Sequence, residues 1–399
     1  MRLRVFQGGS WRLPAFFWIA ASLAGCSRLI GIDDIVYVEA DGAIEERQDG
    51  SSPIQDVASD APVENGTCNL AAVGFDDHNC GRCGHDCLGS TCKNGMCQPV
   101  FLARESGQPG SIVTSNDGYV YWVDDGDGAV RRVKKDGSGL EAIAPAGSDA
   151  SYDILVDDVY AYYMIFSAYN LLGGVQRVRK DGAGDTVSLS AGIPNVRSLA
   201  MRDPYIFVSS MSDPSRLFRT SKDISDGPAT VALFIGSHDA AGDRSLLAAV
   251  AADDQHVYVT DIGLKVIWRI RQDATPSDPP DTFSTHAEGS FAIGVDGDFV
   301  YWADLDHLYR KAKTEPSNDV TPLVAAIRTT SIALDASHLY YACRDDPSLL
   351  GHGVVRRIKK DGEEFATEIS GGWPLVRAIA IDDDSVYFTT ADAVVKVAK

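Results

Sequence analysis

Positive charge is scarce in this sequence. Of its 399 residues, 36 are lysine or arginine and 56 are aspartate or glutamate, which gives a formal net charge of -20 at pH 7. Nucleic-acid backbones and anionic lipid surfaces repel a chain this acidic. The composition therefore argues against nucleic-acid binding.

Motifs of common catalytic sites are also missing. No Gly-x-Ser-x-Gly elbow, His-Glu-x-x-His pair or phosphate-binding loop occurs. The Asp125-Gly126-Asp127-Gly128 run lacks the distal glutamate of a calcium loop and is more typical of a hairpin turn. We therefore predict no catalytic residue, cofactor or metal ion, although a triad can still be assembled from residues far apart in sequence.

The N-terminal segment lacks the length of a transmembrane helix. Its apolar run, residues 13–25, has 13 residues, whereas roughly 20 are needed to cross a bilayer. Arg2, Arg4 and Arg12 precede this run, as in a secretory signal peptide. Leu23-Ala24-Gly25-Cys26 resembles the lipobox of bacterial lipoproteins.

The lipobox resemblance implies a signal peptide over residues 1–25 and a lipid anchor on Cys26. Several acyl chains on one residue give nearly irreversible membrane attachment. Ser27 stands where an aspartate retains some lipoproteins in the inner membrane. The resemblance therefore implies an outer-membrane lipoprotein, either periplasmic or surface-exposed.

An acidic segment, residues 26–66, follows the signal peptide. From Ile32 to Gly66 it contains ten acidic residues and one basic residue, Arg47. Such a composition cannot bury a core, so we predict a disordered linker that holds the next domain clear of the membrane.

Six of the eight cysteines lie within residues 67–98, where large apolar side chains are almost absent. Such a segment needs covalent or metal cross-links. Three disulfides are one alternative, and zinc bound by Cys80, Cys83 and Cys87 with a nearby histidine is the other. The exported compartment and the even count favour disulfides, with the pairing left open. The six residues are Cys68, Cys80, Cys83, Cys87, Cys92 and Cys97.

The cysteine pattern of residues 77–87, followed by Gly95-Met96-Cys97, is similar to the module of plant stigma-specific proteins and of bacterial exported proteins. The resemblance implies an extracellular module without a known reaction, which we interpret as a spacer. Cys343 stands alone outside this module, and we predict that it forms no intramolecular disulfide.

A short aromatic motif recurs through the rest of the chain. Val120-Tyr121-Trp122 has six further copies, with central aromatics 39 to 51 residues apart. This period is typical of a four-stranded propeller blade. We predict an all-β fold over residues 99–399, a seven-bladed β-propeller of four-stranded blades. The central aromatics are Tyr121, Tyr162, Phe207, Tyr258, Tyr301, Tyr340 and Tyr387.

A polar column stands five residues before these aromatics. Asp and Asn cap tight turns, so this column predicts the hairpin between the first two strands of each blade. Metal binding is the alternative, but side chains at seven separate turns do not converge. The column is Asn116, Asp157, Arg202, Asp253, Asp296, Asp335 and Asp382. Upstream, branched residues alternate with small ones, which predicts a buried inner strand.

Basic segments follow the aromatics. Residues 130–137, 175–182 and 355–362 predict third strands that end in Asp-Gly turns, with their basic side chains on a solvated face. The last segment, residues 394–398, aligns with these third strands, so the seventh repeat lacks a fourth strand. We predict that residues 100–104 supply it and close the ring, and that deleting everything before Gln98 barely affects stability.

Three repeats match the YWTD motif of the low-density-lipoprotein receptor family, and the similarity covers roughly 300 residues. They are Tyr121-Trp122-Val123-Asp124, Tyr258-Val259-Thr260-Asp261 and Tyr301-Trp302-Ala303-Asp304. The resemblance implies a propeller in which Asp124, Asp261 and Asp304 form structural hydrogen bonds between repeats. The receptor propellers have six blades, so their ligand preferences do not transfer.

Loop aromatics indicate a recognition surface on one face of the propeller, where the loops after second strands lie. Packing within a long loop is the alternative. We expect a monomeric binding or scaffolding protein for a protein or glycan partner, and the competing function is a propeller-type hydrolase or lactonase. Three or more Asp, Glu, His or Asn side chains that converge at the mouth of the central channel of the propeller would favour the hydrolase or lactonase. The candidate surface consists of Tyr152, Tyr163, Phe166, Tyr169, Phe291 and Trp373.

Overall fold

The computed structural model describes residues 68–104, 107–145, 147, 150–167, 169–223, 230–237, 242–317, 320–326, 328–345 and 352–399. The predicted signal peptide, the lipid anchor at Cys26 and the acidic linker lie outside these residues. No helix that could span a bilayer occurs among them.

Three disulfides hold the cysteine-rich module together: Cys68–Cys83, Cys80–Cys92 and Cys87–Cys97. Its one hairpin joins β1 (Cys92–Lys93) to β2 (Met96–Cys97). The disulfide alternative is confirmed over the zinc alternative, because sulfurs bonded to each other are not the thiolates that bind zinc.

Within the described residues, the remaining strands form seven four-stranded antiparallel sheets. Blade 1 contains β4 (Pro109–Thr114), β5 (Tyr119–Asp124), β6 (Val130–Lys134) and β7 (Glu141–Ala144). Blade 2 contains β8 (Ala150–Val156), β9 (Tyr160–Phe166), β10 (Leu172–Arg179) and β11 (Val187–Pro194). Blade 3 contains β12 (Val196–Arg202), β13 (Tyr205–Ser210), β14 (Arg216–Ser221) and β15 (Thr230–Ile235).

The other four blades follow the same order from the inner to the outer strand. Blade 4 contains β16 (Leu247–Ala252), β17 (His256–Asp261), β18 (Val266–Arg271) and β19 (Asp281–Ser284). Blade 5 contains β20 (Ala292–Val295), β21 (Phe299–Ala303), β22 (His307–Ala312) and β23 (Thr321–Ala325). Blade 6 contains β24 (Ser331–Leu334), β25 (His338–Arg344), β26 (Gly353–Lys359) and β27 (Thr367–Trp373). Blade 7 contains β28 (Ala378–Ile381), β29 (Ser385–Thr389), β30 (Ala393–Ala398) and β3 (Val100–Arg104).

The inner strands contact one another in a closed ring, in which β28 lies against β4. The predicted seven-bladed propeller is therefore confirmed. The predicted closure is confirmed as well, because β3 pairs antiparallel with β30 and places Val100 opposite Lys396 and Arg104 opposite Ala393. Such closure leaves no open strand edge where the ends of the ring meet.

Aromatic side chains from the second strands fill the seams between blades. Trp122, Trp302, Tyr121, Tyr162 and Tyr301 are among the largest fully buried side chains. Burying large aromatic surfaces is a main source of stability. The repeated motif is thus the core of the fold.

The polar column does form the predicted hairpin turns. Asp157 Oδ1 accepts the N–H groups of Val159 and Tyr160, and its Oδ2 accepts the Tyr162 hydroxyl at 2.8 Å. Asp253, Asp296, Asp335 and Asp382 accept backbone N–H groups of their own turns in the same way.

Two members of the column differ from the prediction. In blade 1 the role belongs to Asp117 and not to Asn116, because Asp117 accepts the Tyr119 N–H and the Tyr121 hydroxyl. In blade 3, Arg202 forms an ion pair with Asp254 instead of capping the turn.

The lysines that follow the third strands do not form a solvated face, which corrects that prediction for them, whereas Lys134 and Arg179 within the strands are exposed as predicted. Lys180 of blade 2 pairs with Asp117 of blade 1 at 2.8 Å, and Arg132 of blade 1 donates to the Lys180 carbonyl. Five more lysines pair with the turn aspartate of the preceding blade. The pairs are Lys222–Asp157, Lys313–Asp253, Lys360–Asp296, Lys399–Asp335 and Lys135–Asp382.

The cysteine-rich module is not a free spacer, which corrects that interpretation. Its buried cysteines share one hydrophobic cluster with Tyr340, Val355 and Val397 of blades 6 and 7. A cavity of about 190 Å³ lies between Arg82 of the module and Arg357 of blade 6. The module is therefore docked on the propeller.

Cys343 lies in β25, buried and without a disulfide partner among the described residues, as predicted. Burial is the main cause that raises the pKa of its thiol to about 11. At neutral pH the thiol is therefore protonated and unreactive.

Candidate functional site

One end of the propeller carries the loops between second and third strands and the segments that enter each inner strand. Seven equivalent positions, near the start of an inner strand or one residue before it, form a ring there, which we call the channel mouth. The ring consists of Ser111, Tyr152, Arg197, Ala248, Phe291, Thr330 and Arg377.

Two of the predicted surface aromatics are core residues, and a third is partly buried. Tyr163 and Phe166 are 4% and 1% exposed and lie in hydrophobic clusters of blade 2. Trp373 packs edge-on against Phe101 and Phe388 with ring centroids 5.9 and 5.2 Å away. For Tyr163 and Phe166 the structure corrects the prediction, because their side chains face the seams between blades, whereas Trp373 is half-buried.

The other three aromatics also keep some exposure on the predicted face. Tyr152 is half-buried, with its ring centroid 5.8 Å from that of Phe166. Phe291 is half-buried at the channel mouth. Tyr169, in the loop between β9 and β10, is 99% exposed, and Leu171 beside it is 52% exposed.

Arg197 is the feature of the mouth that the sequence analysis missed. Its guanidinium carbon lies 5.9 Å from the ring centroid of Phe291, although the two residues belong to blades 3 and 5. The intervening ring position is Ala248, whose small side chain leaves room for this contact. A cation over an aromatic face is attractive, but it does not neutralise the charge.

A second arginine of the ring has an acidic partner. Arg377 donates to Asp125 Oδ2 at 2.8 Å, and the Asp125 side chain is only 6% exposed. Asp125 Oδ1 has no hydrogen-bond partner among the described residues and lies against Gly110, where a Cβ atom would overlap it. Burial raises the pKa of Asp125 to about 7, because it outweighs the nearby Arg377 charge.

Asp153, one residue after Tyr152, ties three inner strands together. Its Oδ1 accepts the Ser111 hydroxyl at 2.9 Å, and its Oδ2 accepts the Leu199 N–H at 2.8 Å. Burial raises the pKa of this carboxyl. Its oxygens are occupied by the protein itself, which assigns it a structural role.

The motif aspartates also act structurally. Asp124 accepts the N–H of Gln108 and pairs with Arg131 at 2.9 Å, and Asp261 accepts the N–H of Leu246. Gln108 and Leu246 lie in segments that enter a blade, so these two aspartates fasten the connections between repeats. Asp304 instead accepts N–H groups of its own turn, at Asp306 and His307, which corrects the role implied for it.

Metal-ligating side chains do not gather at the mouth in the described part of the chain. The group of His, Cys, Asp or Glu atoms close enough to share an ion comprises Cys80, Cys87 and Cys97, which are all in disulfides. Asp127, in the turn considered for calcium, binds Arg131 instead.

No protein-family model and no curated protein matches the chain. Among solved structures, a streptogramin B lyase superposes with a TM-score of 0.57 at 13% identity, covering 75% of this chain and 96% of that one. Catalytically inactive virginiamycin B lyase from Staphylococcus aureus with quinupristin gives 0.57 at 14% identity, covering 76% and 98%. A chain of the mitotic checkpoint complex gives 0.55 at 11% identity, covering 76% and 94%.

These likenesses show the propeller fold alone. An enzyme and a protein assembly share it with this chain at similar scores, so the fold does not select between catalysis and binding. The choice must come from the residues at the mouth.

Proposed function

We propose that this chain is a cell-envelope lipoprotein, anchored through Cys26, whose propeller binds or scaffolds a protein or glycan partner at the channel mouth. The lipobox-like sequence and the three disulfides support an exported, oxidising location. The outer membrane and a monomeric state are parts of this proposal.

The composition of the channel mouth carries the proposal. Its ring presents a guanidinium at Arg197 and an aromatic ring at Phe291, with Tyr169 and Leu171 exposed on a neighbouring loop. Aromatic and arginine side chains are the residues that most often dominate binding energy at interfaces. Recognition therefore fits this face better than bond cleavage.

Site-specific photocrosslinking tests this assignment. A diazirine amino acid replaces Tyr169 in one variant and Phe365 in another. Both variants are intact chains expressed in living cells. Tyr169 and Phe365 are 99% and 98% exposed, but Phe365 lies in the loop between β26 and β27 at the opposite end of the propeller.

We expect one protein or glycan adduct, identified by mass spectrometry, from position 169 and none from position 365. Equal adducts from both positions, or adducts from position 365 alone, would contradict binding at the mouth.

A hydrolase or lactonase is the second candidate, favoured by one observation. The buried Asp125, with a pKa of about 7, suits a general acid or base at neutral pH. Lactone and ester turnover that disappears in Asp125→Asn while folding is retained would support this activity. Turnover unchanged by that substitution would exclude Asp125 as the catalytic group.

A further inference from the structure

Arg197 is a charged side chain of the channel mouth that no described carboxylate neutralises. Its counterpart in the ring, Arg377, has Asp125 at 2.8 Å. Arg197 has instead the face of Phe291, at 5.9 Å. This contrast is notable because acidic residues outnumber basic ones by 56 to 36 in the chain.

The Phe291 ring is likewise available for contact. It belongs to none of the hydrophobic clusters formed by the described residues, although its neighbour Ala292 is buried in one. Ala248, the ring position between Arg197 and Phe291, projects too little to cover either side chain. A cation and an apolar wall therefore lie side by side at the entrance to the channel.

The chemistry of this pair selects a ligand. A guanidinium presents a planar fork that matches a carboxylate with two parallel hydrogen bonds, and partial burial strengthens them. An aromatic wall adds apolar contact next to that charge. The net charge of -20 repels polyanions. A single carboxylate on an otherwise apolar group satisfies all three conditions.

We propose that the channel mouth binds a ligand that presents one carboxylate beside an apolar or aromatic group, held by Arg197 and packed on Phe291. This inference rests on the proposed binding function and names its ligand class. Both the C-terminal carboxylate of a peptide and a free aromatic acid carry this chemistry.

Titrations of the full mature chain test the inference with matched probes. N-acetylphenylalanine carries the carboxylate, N-acetylphenylalaninamide lacks only its charge, and 3-phenylpropionate lacks the peptide group. Isothermal or NMR titration should show the acid binding about tenfold tighter than the amide, with the difference shrinking as salt screens the charge. Tighter binding of N-acetylphenylalanine than of 3-phenylpropionate would identify a peptide end, and the reverse a free acid.

Three variants locate the site. Arg197→Gln should abolish the preference for the acid, and Arg197→Lys should retain part of it because the charge remains without the fork. Arg104 is the matched control, since it also lies over a phenylalanine, with its guanidinium 3.4 Å from the Phe101 ring centroid on the exposed outer strand. Arg104→Gln should bind like the unaltered chain.

Two results would overturn the inference: equal affinity for the acid and the amide, or an unchanged preference in Arg197→Gln with an unchanged melting temperature. Either result would leave the adduct at position 169 untouched. The ligand class and the binding function therefore fail in distinguishable ways.

Discussion

Asp125 shows how one buried residue can make stability depend on pH. Its pKa rises from an ordinary 3.8 to about 7 because burial disfavours the carboxylate more than Arg377 favours it. The unfolded chain ionises this group near pH 4, while the folded chain resists ionisation until pH 7. Folding is therefore penalised increasingly between these two values.

Asp125→Asn should remove that penalty. We expect the melting temperature of the variant, relative to the unaltered protein, to rise steadily between pH 4 and pH 7 and to stay level above it. The slope corresponds to about 1.4 kcal/mol for each pH unit. Calorimetry at several pH values checks the trend, and a difference that is constant from pH 4 to pH 8 would contradict the raised pKa.

The lipid anchor is a separate prediction at the residue scale. Cys26→Ser should leave the protein without label from radioactive palmitate, since the other seven of its eight cysteines lie away from the lipobox. Cys343→Ser provides the control and should label normally. Continued labelling of Cys26→Ser would refute the anchor.

Residue patterns predicted local structure better than long-range contacts. Asp157 and the N–H groups that it accepts are within three residues of each other, so the turn could be predicted from the sequence. Lys180 and its partner Asp117 belong to different blades, and their pairing depends on how the blades meet. Arg197 and Phe291 were missed as a pair for the same reason, because the ring position becomes visible only after the inner strands are aligned.

Six of the seven seams between blades carry the lysine–aspartate pair. The seam between blades 3 and 4 lacks the aspartate, the lysine and the tyrosine that accompanies them. There Arg202 replaces the aspartate, Phe207 replaces the tyrosine and Gln272 replaces the lysine. Gln272 instead donates to the Asp253 carbonyl, and its own carbonyl accepts Arg219. The lysine and the aspartate are replaced together at this seam. Replacing only one of them would leave the other as a half-buried charge without a partner.

Lys180→Gln should therefore destabilise the propeller by about 1 to 2 kcal/mol, because Asp117 loses its cation at a seam where Lys180 is 9% exposed. Denaturant unfolding measures the change. Gln272→Lys is the matched control, and it should give no gain because Arg202 stands where an aspartate would be needed. An unchanged free energy of unfolding in Lys180→Gln would show that the ion pairs do not stabilise the seams.

The aspartates of these ion pairs should also make the propeller less stable in acid. Burial acts to raise the pKa of Asp157, but hydrogen bonds from Lys222, Tyr160 and Val159 outweigh it and hold the pKa at about 2. The stabilisation is complete above pH 4 and is lost as the pH falls through 2. Unfolding monitored by circular dichroism from pH 5 to pH 1.5 should show this loss, and Asp157→Asn should show less of it.

At the scale of the whole molecule, the module and the closing strand form one continuous segment. Cys97, in a disulfide with Cys87, lies three residues before Val100, where β3 begins. The same disulfide shares a hydrophobic cluster with blades 6 and 7. The module therefore packs against blade 7, which the closing strand completes, a contact that sequence alone did not indicate.

Two truncations separate these contributions. A chain that begins at Gln98 loses the docked module and should melt several degrees below a chain that retains it, contrary to the small effect expected from sequence. A chain that begins at Glu105 also loses β3 and should melt lower still, since each kcal/mol lowers the melting temperature by roughly 2 to 4 °C in domains of 150 to 250 residues. Equal melting temperatures for the two truncations would show that β3 does not fasten the ring.

The pairing of β3 with β30 also sets an order of events during folding. Val100 and Lys396 are partners, so the loop that their contact closes contains every other blade, and its entropic cost is high until those blades have formed. During synthesis from the N-terminus, β3 emerges early and keeps an unpaired edge until β30 has been made. Two unfinished molecules present complementary edges to each other. Fast refolding at high protein concentration should therefore produce strand-swapped dimers, in which each ring is completed by the β3 of the other.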